Sequence, residues 1–144
     1  MQTYGFQWVG YEGGEPKEPV IRKYVFKDTE TLTKGDAINN ESGVVDLFAT
    51  GGDTGLIGVA NETLSGTTAV TEIEVILDLH GRGLWAVTDA NARTEGTELD
   101  ITGTTGAQTI SADGDSDVIV AYNSTASQPT IVRFHPRACG LGIT

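Results

Sequence analysis

Three carboxylates alternate in the stretch Asp113-Gly114-Asp115-Ser116-Asp117, and acids alternating in a tight turn are how many calcium sites begin. Calcium takes six or more oxygens, and the twelve-residue loop pattern counted from Asp113 asks for Gly at its sixth position and Glu at its twelfth. Val118 and Ser124 stand there instead, so a solvated hairpin tip is the favoured reading and no metal is expected. Asp78 and His80 form a second candidate, because two residues one apart on a strand share a face, where a carboxylate can orient an imidazole. No nucleophile accompanies them. Ser65 lacks the G-x-S-x-G elbow and His135 merely precedes Pro136, so no catalytic triad can be assembled.

Glu72 and Glu74 are of the residue type that works in pairs across a sugar bond, but alternate positions on a strand explain them as its wet face. Trp8 and Trp85 are the only tryptophans available as sugar platforms, and Trp85 lies in the apolar run GLWAV, where burial is expected. Asn40-Glu41-Ser42, Asn61-Glu62-Thr63 and Asn123-Ser124-Thr125 match the glycosylation acceptor pattern, which has meaning only in a secreted protein. Cys139 is the single cysteine, so neither an internal disulfide nor a multi-cysteine zinc site is available. These readings point away from an enzyme and imply no cofactor.

The elements that carry these residues read as strands. Tyr4, Phe6 and Trp8 alternate with small or polar residues before Gly13, Gly14, Pro16 and Pro19 interrupt, which suggests an extended N-terminal arm over 1–19 laid on its own barrel or on a neighbouring chain; an ordinary first core strand is the alternative. Further strands are expected at Val20 to Lys27, on both sides of Gly35-Asp36 within Leu32 to Ile38, and at Val44 to Thr50, Gly55 to Ala60, Thr71 to Leu79, Leu84 to Thr88, Leu99 to Thr102, Asp117 to Tyr122 and Thr130 to Phe134. In Thr71 to Leu79 the residues Ile73, Val75, Leu77 and Leu79 form one face. Asp89 to Glu98 has room for a helical turn or two, and Thr102 to Asp117 reads as a loop-heavy hairpin. Short strands between turns predict an all-β fold, a small antiparallel barrel or sandwich over 20–136 with a tail at 137–144.

Of 144 residues, Asp and Glu contribute 20 and Lys and Arg only 9, a formal net charge of -11. The excess lies between Gly35 and Val132, where only Arg82 and Arg93 interrupt the acids, whereas residues 1–34 are balanced and the last twelve carry Arg133 and Arg137 without an acid. So acidic a chain is a poor phosphate binder, which argues against nucleic acid and anionic membranes as partners. No secretory leader or apolar span of bilayer length is legible, and a soluble intracellular product is expected. A repulsive middle with neutral-to-basic ends suggests attachment through the ends.

The order of four segments carries a resemblance: TLTKGD, then GVVDLFATGGDTGLIGVANETLSG, then HGRGLWAV, then the closing strand TIVRF. Over Val20 to Phe134 this progression resembles small capsid decoration (cement) proteins of tailed bacteriophages. The resemblance implies a β-barrel that sits on the capsid exterior of the virion after synthesis in the host cytoplasm. It further implies that the protein stabilises the head as a homotrimer and has the major capsid protein as its partner. On that reading Tyr4, Phe6, Trp8, Arg133 and Arg137 are the residues expected to touch capsid or neighbouring subunits. A carbohydrate-binding β-sandwich module is the alternative.

Overall fold

The computed structural model describes residues 4–14, 18–28, 31–41, 43–48, 53–65, 67–78, 81–112 and 116–140. Its strands are β1 (Phe6–Tyr11), β2 (Ile21–Asp28), β3 (Ala37–Glu41), β4 (Val44–Leu47), β5 (Leu56–Ala60), β6 (Thr67–Leu77), β7 (Gly83–Val87), β8 (Glu98–Thr102), β9 (Thr109–Ser111), β10 (Val118–Val120) and β11 (Thr130–Phe134). Among the described residues there is no α-helix, and the fold is all-β.

Two sheets divide the strands. A closed barrel runs β2-β4-β3-β5-β6, and a six-stranded sheet runs β1-β7-β11-β10-β8-β9. The barrel closes because β6, eleven residues long, pairs antiparallel with both β2 and β5. Its one parallel seam joins Val25 and Phe26 of β2 to Val44 and Val45 of β4. At Gly58 an added Cβ would strike the backbone carbonyl of Ile76, so only glycine lets β5 approach β6 at that point. Since closure leaves β6 no free edge, the chain after Asp78 starts a second sheet instead of extending the first. The barrel expected over 20–136 therefore occupies Ile21–Leu77.

Alternation decides the inside of each sheet. On β6, Ile73 and Val75 are fully buried while Glu72 is exposed, as period-two patterning requires. The barrel interior holds Phe26, Leu32, Ile38, Val45, Ala60, Ile73 and Val75. The second core lies between the sheet and the barrel wall, where Phe6, Trp85, Val132 and Phe134 meet Ala37, Phe48, Leu56 and Val59. Phe134 anchors it, with Trp85 stacked on one side at 5.2 Å and Phe6 edge-on at 5.5 Å.

Two buried polar side chains tie the sheets together. Gln108 Oε1 accepts from Ala37 N at 2.7 Å, and its Nε2 donates to Phe48 O at 2.8 Å, so one amide satisfies two backbone groups of the barrel. Asp36 accepts from Thr33 N within its own turn and from the Thr105 hydroxyl and Gly106 N across the junction. Buried donors and acceptors without partners are costly, so these contacts fix how the sheets sit.

Within the described residues the N-terminal segment, expected as an extended arm laid on its own barrel or on a neighbouring chain, is a strand of its own subunit's sheet. β1 is the edge strand of the sheet, paired with β7 from Phe6↔Val87 to Tyr11↔Gly83 around a bulge between Trp8 and Gly10, and the ordinary first-strand alternative describes it. Aromatics left in water are unfavourable, and the sheet buries Phe6 fully and Trp8 in part, whereas Tyr4 stays exposed. At the other end Ala138 is fully buried and its carbonyl accepts from Leu56 N, so 137–140 also packs on its own subunit. Residues 141–144 of the expected tail lie outside the described residues.

Candidate interaction surfaces

The residues of chemical type are used by the fold. Asp78 follows β6 where the chain leaves the barrel, and it is buried. Its Oδ1 accepts from Gly83 N at 2.8 Å and from Trp85 Nε1 at 3.4 Å, and its Oδ2 accepts from Cys139 Sγ at 3.6 Å. Burial pushes its carboxyl up to about 6, against the pull of these donors. The Cys139 thiol is driven above its ordinary range by burial and by the neighbouring Asp78, which makes it a poor nucleophile. His80 lies outside the described residues, so the Asp78–His80 pairing has no described geometry.

Asp113 and Asp115 also fall outside them. Asp117 is buried, accepts from Ile101 N at 2.9 Å and is ion-paired with Arg137. Among the described residues no three His, Cys, Asp or Glu side chains gather as a metal site would need. Glu74 accepts from Asn61 Nδ2, and Glu72 faces outward from the barrel wall beside it. His135 accepts from Arg137 N and lies 3.5 Å from Glu98, whose carboxyl is held below its usual range by the Ser116 hydroxyl and the His135 imidazole. Trp85, the best sugar platform in the sequence, is fully buried, which removes the main residue of a carbohydrate-binding surface.

The expected contact residues scatter. Phe6 is 1% exposed and belongs to its own core. Trp8 is half-buried, edge-on to Tyr11 at 5.8 Å, with an Nε1 that is buried and has no hydrogen-bond partner among the described residues. Arg137 is bound to Asp117 and donates to Ser116 O. Arg133 lies on the outer face of the sheet, 3.7 Å from Glu12. Tyr4 is 53% exposed. It sits next to Gly5, whose N–H donates to Gln108 O, and near the turn that carries the exposed Lys34, since Phe6 N donates to Gly35 O.

Two apolar surfaces escaped the sequence reading. Alternation away from Trp85, Val132 and Val118 puts Leu84, Ala86, Ile119, Ile131 and Arg133 on the outward side of the sheet, with Val9 and Tyr122 exposed near its edges. An outward face that is largely aliphatic departs from the apolar-in, polar-out rule for antiparallel sheets. Glu12, Leu84, Glu95, Tyr122 and Arg133 line a cleft of about 260 Å³ on it. The second surface is the barrel wall at β2 and β4, where Val20, Ile21 and Val44 are exposed on the side that also carries Lys23, Glu72 and Glu74, while Arg22 turns to the other face, onto the Tyr24 ring. The signal was present: VIV at 118–120, IV at 131–132 and LWAV at 84–87 are continuous apolar runs, the mark of strands covered on both faces.

No family model matches the chain, and no curated protein matches it. Among solved structures it is similar to the head fiber gp8.5 N base of bacteriophage phi29, with a TM-score of 0.50 and 13% identity, over 82% of this chain and 97% of that one. At that identity the likeness is one of fold: the pairing of barrel and sheet seen here is an architecture also found in the base of a phage head fibre.

Proposed function

We propose that this chain is a structural protein of a bacteriophage virion, which binds the outside of an assembled head and stabilises it as a homotrimer in contact with the major capsid protein. The observation that carries the reading is the fold shared over 82% of the chain with a phage head-fibre base. The absorption of Asp78, Asp117, His135 and Cys139 into structural contacts supports a binding role over a catalytic one. A protein that binds only the assembled shell opposes its disassembly by mass action and needs no chemistry.

The surface that carries Tyr4 and Lys34 is the proposed head contact. Both are exposed there, next to loops that Asp36 and Gln108 hold rigid, and the acidic remainder of the surface then faces solvent. Incubation with undecorated heads followed by sedimentation tests the reading. Protein that pellets with heads, and less of it for a Tyr4→Ala/Lys34→Glu variant, is the expected result. Protein that stays wholly in the supernatant would overturn the proposal.

A further inference from the structure

We propose that the free edge of β1 takes up an extended peptide as an added strand, with one apolar side chain of that peptide filling the cleft beside Trp8, whether or not the protein decorates a phage head. In an antiparallel ladder, residues alternate between exchanging both backbone bonds with the partner strand and turning both outward. Phe6 N donates to Gly35 O of the barrel turn, so Phe6 is of the outward kind. Trp8, two positions on in an unbroken register with β7, is the next. Its N–H and C=O therefore point away from β7, on the side where β1 has no neighbouring strand. Neither group has a hydrogen-bond partner among the described residues. Free edges are ordinarily protected by charged residues or proline, and β1, with the sequence FQWVGY, has neither.

A cleft of about 200 Å³ touches Phe6, Gln7 and Trp8 in succession although their side chains alternate, so it runs along the backbone edge of the strand. Its far wall is made by Val59 and Ile76 of the barrel. Directly opposed residues of an antiparallel pair carry their side chains on one face, so a guest residue that bonds the Trp8 backbone sends its side chain inward, between the indole and Ile76. The Trp8 Nε1 has no hydrogen-bond partner among the described residues, so packing alone holds the ring and it can adjust to the guest. Lys34 is the one charged residue among the described residues that line the cleft, and it is exposed with no carboxylate partner among them. Beyond Asn61 the acids are engaged, Glu74 by Asn61 Nδ2 and Glu62 by Glu74 N. An antiparallel guest runs from Trp8 toward Phe6, whose N–H Gly35 already occupies, so the guest residues that follow the apolar one lie beside Lys34. The ligand is thus an extended segment with a Val-, Leu- or Phe-sized residue followed within two positions by Asp or Glu.

Titration with blocked pentapeptides, acetyl-Thr-Thr-Xaa-Glu-Thr-amide with Xaa as Ala, Val, Leu or Phe, tests this through Trp8 emission. Trp85 is fully buried in the core, and loss of the signal in Trp8→Phe assigns it. Affinity should rise about tenfold or more from Ala to Leu, and the Trp8 backbone amide should gain protection from hydrogen exchange. N-methylation of the Leu residue keeps its side chain, removes its N–H and should weaken binding about tenfold. Replacing the peptide Glu by Lys should weaken it about threefold, and Lys34→Glu should reverse the order of those two peptides. Lys34 is exposed, so that variant should keep the wild-type Tm. No binding of any peptide at millimolar concentration, an N-methylated peptide as tight as its parent, or an order of charges unmoved by Lys34→Glu overturns the proposal. A Trp8 amide that gains protection with protein concentration alone would give the edge to a second copy and overturn it equally.

Discussion

The barrel and the six-stranded sheet pack on one another, yet they are assembled in opposite ways. Every barrel strand comes from one continuous stretch, Ile21–Leu77, so its contacts close loops of modest length. The sheet takes β1 from before the barrel and its remaining strands from after it, and Phe6 meets Val87 across the whole barrel sequence. Local closure costs less chain entropy than distant closure, which makes the barrel the self-sufficient unit and the sheet the dependent one. The sheet in turn lays its inner face on the barrel wall, and Gln108 and Asp36 are where that dependence is concentrated.

Substitutions that separate the two units should show the difference. Gln108→Leu strands Ala37 N–H and Phe48 C=O, at about 1–3 kcal/mol for each buried group left unpaired. Chemical denaturation followed at Trp85 and by far-UV signal should then give two transitions, with the sheet melting first; one coincident transition would mean the units are not separable. Trp85→Ala empties the centre of the sheet core and should lose about 3–5 kcal/mol, with backbone amides of the barrel retaining more hydrogen-exchange protection than those of the sheet. Equal loss of protection in both would contradict the asymmetry.

Asp78, at the crossover between the units, gives a smaller and pH-dependent effect. Its folded-state pKa of about 6 lies above the ordinary 3.8, so folding favours the protonated form. That contribution is complete below about pH 4, declines as pH rises and is gone above about pH 6. The shift corresponds to about 3 kcal/mol. Asp78→Asn keeps an acceptor for Gly83 N and Trp85 Nε1 without the charge, and should be more stable than wild type at pH 7 but not at pH 4. A wild-type advantage that persists at pH 7 would show that the carboxylate is better solvated than its burial indicates. Arg133→Ala breaks an exposed pair with Glu12 and should change stability by less than about 0.5 kcal/mol, as urea titration would show.

Much of the barrel and sheet strand content was legible. Thr130–Phe134 emerges with the bounds its alternation indicates, and β6 buries the face that its sequence marks. β3 runs beyond Ile38 to Glu41 although Asn39, Asn40 and Glu41 are weak strand formers, because Asn39 is buried and its Oδ1 accepts from Gly55 N. The segment Asp89 to Glu98, expected to have room for a helical turn or two, is a loop up to β8, held by the Asp89–Arg93 ion pair and by Arg93 N donating to Ser124 Oγ. Tertiary contacts decided both cases. The candidate surfaces were legible only in part, since the contact residues came from the two ends of the chain while the exposed apolar positions lie in mid-strand. Which face of a strand finds water depends on the strand order, and spacing does not encode that order.

The edge position of β1 has a consequence for synthesis. Its partner β7 begins 72 residues after Tyr11, and β7's other neighbour, β11, ends only at Phe134. A ribosome therefore delivers a finished barrel while the aromatic first strand still waits, and the sheet that receives it is not complete until Phe134 has been made. The second sheet therefore matures after the barrel, and a chain cut before β11 would keep its greasy first strand on display as a mark for disposal.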